Sequence, residues 1–281
     1  MNITDQKIKE NVREIYSRIA TQTKQVNASS CCGAGDCSTD AYTIMCDDYS
    51  TIEGYNPDAD LGLGCGLPTQ FAKIKPGDTV VDLGSGAGND CFVARAIAGD
   101  NGKIIGIDMT DVMINLAREN AEKLNLNNVE FRLGEIEKIP VAANRADVVV
   151  SNCVINLVPE KAKAFSEIFR ILKEGGHFSI SDIVLNVELP AKILEASEMY
   201  AGCVSGALQK DVYLNLIKQA GFINVVIQKE KPIVIPDNIL LNYLSQEEID
   251  SYKKMGQGIL SITVYAEKPA QTCCTPGGGC C

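Results

Sequence analysis

Asp82-Leu83-Gly84-Ser85-Gly86-Ala87-Gly88-Asn89 is the stretch whose reading decides the fold. It follows the apolar, strand-like Thr79–Leu83 and precedes a helical pattern from about Asn89 to Ala98, so three glycines occupy a strand-to-helix turn. Glycine is needed there because the backbone turns sharply and a ligand must approach without a β-carbon in the way. Asp108 lies twenty residues beyond Gly88, at the end of a second strand over Lys103–Asp108. An acid in that position can accept hydrogen bonds from two ribose hydroxyls. A glycine-rich turn alone is weak evidence, since a tight βα turn with no ligand reads the same way. Strand context, spacing and Asp108 together point to a nucleotide.

Outward from this turn the chain alternates. Thr110 is a cap for a helix carrying Met113, Leu116, Ala117 and Leu124 on one face. Val129–Leu133 reads as a third strand, and Ala146–Asn152 as a fourth, with the continuous Val148-Val149-Val150 of a strand buried on both faces. Pro159 suits the first turn of a helix that closes at Gly175 and Gly176, before a fifth strand over His177–Ile183. The alternation implies an α/β fold with a doubly wound, mostly parallel sheet. Helices near 189–201 and 209–220 follow, then strands over 223–230 and 259–267. A helix between those strands starts at Ser245, where Ser245 and Glu248 fit a capping box. Upstream, residues 4–20 form an amphipathic helix through Ile8, Val12, Ile15 and Ile19. The expected organisation is therefore an N-terminal helix and cysteine-rich segment (1–69), a nucleotide-binding domain (70–230), a smaller α+β C-terminal domain (231–270) and a disordered tail (271–281).

Composition narrows the function. A net charge of −10 with scattered acids repels nucleic acid and anionic lipid. No run approaches the ~18 apolar residues of a membrane helix, and the polar Met1–Glu10 lacks the core of a signal peptide. A cytoplasmic protein with no nucleic-acid or membrane partner is expected. Yet there are twelve cysteines. A reducing compartment keeps them as thiols, so metal, metalloid or redox chemistry is a better reading than a disulfide framework. There is no C-x-x-C pair, and the sole histidine is His177, so zinc-finger spacing is absent.

The nucleotide is not a dinucleotide on this pattern: G-x-G-x-x-G has two residues between its second and third glycines, and this chain has one. G-x-G-x-G behind an acid resembles the first motif of class I S-adenosylmethionine-dependent methyltransferases. The resemblance places Asp82, Gly84, Gly86 and Gly88 along the amino-acid part of S-adenosyl-L-methionine. It places Asp108, followed by Met109, at the ribose, Glu135 and Ile136 beside the adenine, and Asn152 in the methyl-transfer cleft. It covers roughly residues 70–230 and says nothing of the acceptor.

The cysteines address the acceptor. Ligands of open α/β sheets bind beyond the carboxyl ends of the strands, which sets Cys153, just after Asn152, beside the cofactor by topology alone. Tyr16-Ser-Arg-Ile-Ala20, Gly64-Cys65-Gly66, Ser151-Asn-Cys-Val-Ile-Asn156 and Ala201-Gly-Cys203 closely resemble the arsenite methyltransferases, extending the likeness over about residues 10–230. By that resemblance Cys65, Cys153 and Cys203 bind or methylate the metalloid. A fourth thiol upstream best matches Cys37, with Cys32 of the Cys31–Cys32 pair the alternative.

The chemistry agrees. Trivalent arsenic is soft and thiophilic, and three sulfurs leave its lone pair pointing away from them, toward an activated methyl. Such a displacement needs no general base. The expected partners are arsenite or methylarsenite and a thiol reductant (glutathione or thioredoxin-like) that resets a disulfide formed among the cysteines. Two other readings use the same residues: methylation of a small organic acceptor with incidental cysteines, and non-catalytic sequestration of arsenic. A buried cysteine can also be a small apolar residue, the preferred reading for Cys91. His177 reads as structural, and Cys46 carries no reading. Cys273-Cys274 and Cys280-Cys281 form two vicinal pairs that would capture arsenic or soft metal, unless the tail is dispensable.

Overall fold

The computed structural model describes residues 5–21, 47–194, 204, 206–254, 256 and 258–270. In chain order its elements are α1 (Asp5–Ala20), α2 (Pro68–Phe71), β1 (Thr79–Leu83), α3 (Asn89–Ala98), β2 (Lys103–Asp108), α4 (Asp111–Lys123), β3 (Val129–Leu133) and β4 (Ala146–Asn152). A 3₁₀ turn (Ile155–Leu157) leads to α5 (Lys161–Ile171), β5 (Leu172–Leu185), α6 (Ala191–Leu194), α7 (Lys210–Gln219), β6 (Ile223–Ile233), α8 (Asp237–Leu240), α9 (Gln246–Lys254) and β7 (Ile259–Glu267).

One seven-stranded sheet runs in the order β3-β2-β1-β4-β5-β7-β6. The first five strands are parallel, and β7 is antiparallel to both β5 and β6. The order reverses between β1 and β4, which opens a crevice at their carboxyl ends. The valine run of β4 works as its continuity implies. Val149 enters one face's core with Val81, Ile105 and Phe165, whereas Val148 and Val150 enter the other with Val80, Ile104 and Phe92.

Two expectations are revised. Gly175 and Gly176 do not stop a helix: α5 already ends at Ile171, and Leu172 turns to extended backbone. The glycines lie inside β5, where the register with β4 shifts between Ala146 and Val148. Gly175 has φ +73, and a β-carbon on Gly176 would meet the Lys173 carbonyl at 2.8 Å, so the pair bends a strand that a larger residue would jam. Residues 231–270 are distributed between two places. Ile249 and Tyr252 of α9 pack in an apolar cluster at the crevice end of the molecule, while β7 inserts between β5 and β6 of the main sheet and is buried almost throughout. The helix expected over 189–201 is described only as Ala191–Leu194.

Candidate active site

The glycine turn is built as its chemistry demands. Gly84 and Gly86 have φ of +71 and +51, and a β-carbon on Gly84 would lie 2.3 Å from Val154 Cγ2. One on Gly86 would meet no protein atom within 4 Å; that backbone faces the cleft. Gly88 serves packing: at φ +101 a β-carbon there would strike the rings of Phe131 and Phe92.

The cleft encloses about 1090 Å³, part of it open to solvent, and its wall includes Gly84, Gly86, Asp108, Met109, Glu135, Ile136, Asn152 and Cys153. The structure thus gathers these sequence-derived candidates on one surface. Asp108, at the end of β2, accepts the Gly86 N–H at Oδ2 (3.0 Å) and the Thr110 N–H at Oδ1 (2.9 Å). Burial raises its pKa, and those backbone donors oppose the shift. Thr110 occupies the N-cap of α4 but makes no side-chain cap bond.

Asp82 lies behind the wall, 2% exposed. Burial, and then the neighbouring Asp90, push its pKa well above the usual carboxylate range. Its Oδ2 accepts the Cys91 thiol at 3.3 Å. Burial and the Asp82 charge push that thiol upward as well, so Cys91 is an inert packing residue with a polar contact.

Among the polar wall residues not singled out from the sequence are Lys9, Tyr49, Asp60, Asp90 and Glu137. Asp90 follows Gly88 by two residues and lies in the first turn of α3. Tyr49 donates its hydroxyl to both Asp90 oxygens at 2.9 Å. Burial raises Asp90 to about 6 despite hydrogen bonds from Asn152 and Tyr49. Lys9 of α1 bridges Glu135 (2.8 Å) and Glu137 (2.7 Å). Burial works against the Lys9 charge, but these two acids outweigh it and its pKa rises. Arg13 Nε donates to the Met109 carbonyl at 3.2 Å, so α1 lies along the cleft mouth and contributes Lys9, Val12 and Tyr16 to its lining. Glu137 is 5% exposed, and its Oε1 has no hydrogen-bond partner among the described residues. Such an oxygen calls for a donor from outside the chain. An acid-lined cleft with an unmet acceptor and a β2-end carboxylate fits a cationic nucleoside such as S-adenosylmethionine.

Beyond the carboxyl end of β4, Cys65 and Cys153 are buried in one apolar cluster with Val12, Ile183, Ile193, Val204 and Tyr252. Cys153 has a left-handed backbone, φ +61, and donates its N–H to the Ser181 carbonyl at 2.8 Å. Cys65 is held at both ends: its N–H donates to Asn152 Oδ1 (3.0 Å), and its carbonyl accepts the Ser261 hydroxyl (2.6 Å). Cys37, Cys32, Cys46, Cys203 and the four tail cysteines lie outside the described residues. Among the described residues no group of three or more His, Cys, Asp or Glu side chains is arranged to hold a metal ion, and no helix is long and apolar enough to cross a membrane. His177 is structural: Nε2 is 2.6 Å from the Ala72 carbonyl oxygen, and the ring centroid is 5.1 Å from that of Tyr265.

A doubly wound sheet with this glycine turn after β1 and this acid at the end of β2 has the class I methyltransferase fold. Residues 74–221 match the family model described as a methyltransferase domain. The arsenite methyltransferase of Halobacterium salinarum is 40% identical over 276 residues, covering 94% of this chain and 67% of that protein. The human arsenite methyltransferase is 31% identical over 232 residues, 78% of this chain and 59% of its own. Among solved structures, an arsenic (III) S-adenosylmethionine methyltransferase from Chlamydomonas reinhardtii superposes with a TM-score of 0.62 at 30% identity, over 74% of this chain and 68% of that one. The chain belongs to the arsenite methyltransferase family.

Proposed function

We propose that this methyltransferase uses S-adenosylmethionine to methylate trivalent arsenic, as arsenite or methylarsenite, held on the sulfurs of Cys65, Cys153 and Cys203, and that it serves arsenic detoxification in the reducing cytoplasm. The observation that carries the reading is the shared cluster. Cys65 and Cys153 come from segments 88 residues apart, yet they are buried together at the end of the cleft with Val204, the neighbour of Cys203. A soft ion suits such thiolates.

When bound, S-adenosylmethionine supplies an electrophilic methyl group on a sulfonium. The chain's own residues do the rest. Asp60, Asp90, Asp108, Glu135 and Glu137 make the wall attractive to a cation. Asp108 and Glu137 offer acceptors to hydroxyl and amine donors, and α1 restricts water. Three cysteine sulfurs orient the arsenic lone pair, and alignment of this kind supplies up to roughly 7–11 kcal/mol of a barrier. Methylation leaves arsenic formally pentavalent. Two protein thiolates then return two electrons and form a disulfide, restoring trivalent arsenic, and a glutathione or thioredoxin-like thiol reopens it by exchange. Cys37, or Cys32, is the fourth thiol available to that cycle.

The test is incubation with arsenite, thiol and S-adenosylmethionine, followed by speciation of the arsenic. Methylated products should form with the natural chain. Cys65→Ser, Cys153→Ser and Cys203→Ser should each lose a methylation step while keeping cofactor affinity in calorimetry. Unaltered kinetics in all three would eliminate the thiolate site.

A further inference from the structure

Asn152 reads from the sequence as a cofactor contact, but its amide is already fully used within the protein. Oδ1 accepts the N–H groups of Cys65 (3.0 Å) and Gly66 (3.3 Å). Nδ2 faces three acceptors: the Tyr49 hydroxyl (2.7 Å), the Gly66 carbonyl (2.9 Å) and Asp90 Oδ2 (3.2 Å). A primary amide has two acceptor lone pairs and two donor hydrogens, so nothing is left for a ligand. The orientation is also unique. Exchanging O and N would set the amide hydrogens against two backbone N–H donors.

These bonds join two halves of the site. On one side is the Gly64-Cys65-Gly66 loop, whose glycines are explained by proximity. A β-carbon on Gly64 would lie 2.5 Å from Asn152 Nδ2, and one on Gly66 would lie 2.5 Å from Ser181 Oγ. On the other side is Asp90, on the first turn after the cofactor glycines, with Tyr49 as cross-brace. Cys153 is the next residue after Asn152, its amide fixed on Ser181.

We propose that Asn152 is the positioning residue of the thiol site: its amide holds the Cys65 loop in register with Cys153 and, through Tyr49 and Asp90, in register with the cofactor turn. The inference rests on the reading of Cys65 and Cys153 as arsenic ligands. Asn152 therefore acts through Cys65.

The experiment compares Asn152→Ala and Tyr49→Phe with the natural chain by three measurements. These are cofactor affinity in calorimetry, alkylation of Cys65 by iodoacetamide followed by peptide mass spectrometry, and steady-state arsenite kinetics. Asn152→Ala should leave the cofactor Kd within about threefold while raising the Cys65 alkylation rate and the arsenite KM by about tenfold or more, the scale of losing buried hydrogen bonds. Tyr49→Phe keeps the ring, removes one brace and should move the same two readouts by less. Unchanged Cys65 alkylation in both variants overturns the proposal, as does a cofactor Kd weakened about tenfold or more while alkylation stays constant. Alkylation needs no arsenic, so a natural chain that fails to methylate arsenite would sink the proposed function while this measurement still decides the positioning role.

Discussion

Cys153 combines the feature chemistry wants with one the backbone resists. A β-substituted residue at φ +61 costs about 1–2 kcal/mol relative to right-handed backbone, and such strain persists only where surroundings enforce it. Here the Ser181 carbonyl on one side and Asn152 on the other do so. Glycine would relieve the strain, whereas alanine would remove the sulfur and keep it. Cys153→Gly should therefore unfold at a denaturant concentration equal to or above that of Cys153→Ala despite its smaller side chain, a gap of up to about 1 kcal/mol. Both should lose the methylated arsenic product. If the glycine variant proves clearly the less stable of the two, the backbone at this position is not strained in solution. Gly64 makes the complementary case. Its missing β-carbon leaves room for the Asn152 amide, and Gly64→Ala should raise the arsenite KM and leave cofactor affinity nearly unchanged.

At the scale of elements, α1 is tied to the cleft by charge. Glu137 is almost wholly buried and Lys9 is its cation, shared with Glu135. Removing one partner of a buried pair strands the other. Lys9→Met should cost about 1–3 kcal/mol in chemical unfolding, and the double variant Lys9→Met/Glu137→Gln should recover most of it, because no stranded charge remains. Additive losses in that cycle would show that the two side chains do not interact. This contact also marks where sequence reading stopped. Strands β1, β2 and β4 are legible from apolar runs, and β3 from the alternation of Val129, Phe131 and Leu133 with Glu130 and Arg132, and Ser245 and Glu248 do exchange their capping bonds at 3.3 and 2.8 Å. Gly84 and Gly86 were legible because their motif is contiguous, and Asp108 because it ends the next strand at a fixed spacing from them. Lys9 and Tyr49 were not. Their partners lie 126 and 103 positions away, and neither residue stands in a pattern of its own. Asp90 carried a faint signal, an acid two residues past the glycines, but an acid there reads equally as a helix-terminus charge. Gly175 and Gly176 were misread because two glycines after a helical pattern look the same whether they end the helix or bend the next strand.

At the scale of the whole molecule, buried acids set the pH profile. Asp182 is fully buried on β5, accepting the Ile183 N–H at 3.0 Å and the Tyr213 hydroxyl at 3.2 Å. Burial raises its pKa to about 7, and that of Asp90 to about 6. An unfolded chain releases both protons near pH 4. Between about pH 4 and 7 the folded protein therefore holds more protons than the unfolded one, and its stability falls as pH rises, by up to roughly 1.4 kcal/mol per pH unit for each group. This contribution is complete below about pH 4 and is lost through pH 6 to 7. Glu135 and Glu167 act with the opposite sign: Lys9 and Arg170 respectively lower their pKa values, so their contribution is present above about pH 4.5 and is lost as acid is added. The net charge of −10 adds self-repulsion that also grows with pH. The chain should thus be most stable near pH 5 rather than at neutrality. Asp182→Asn keeps an acceptor for the Ile183 amide and removes the titration. Urea midpoints measured from pH 4.5 to 8 should fall less steeply for this variant than for the natural chain, with the two curves closest at the acid end. Parallel curves across that range would mean that Asp182 is already ionised in the folded protein, with Lys161 or bound water carrying its charge.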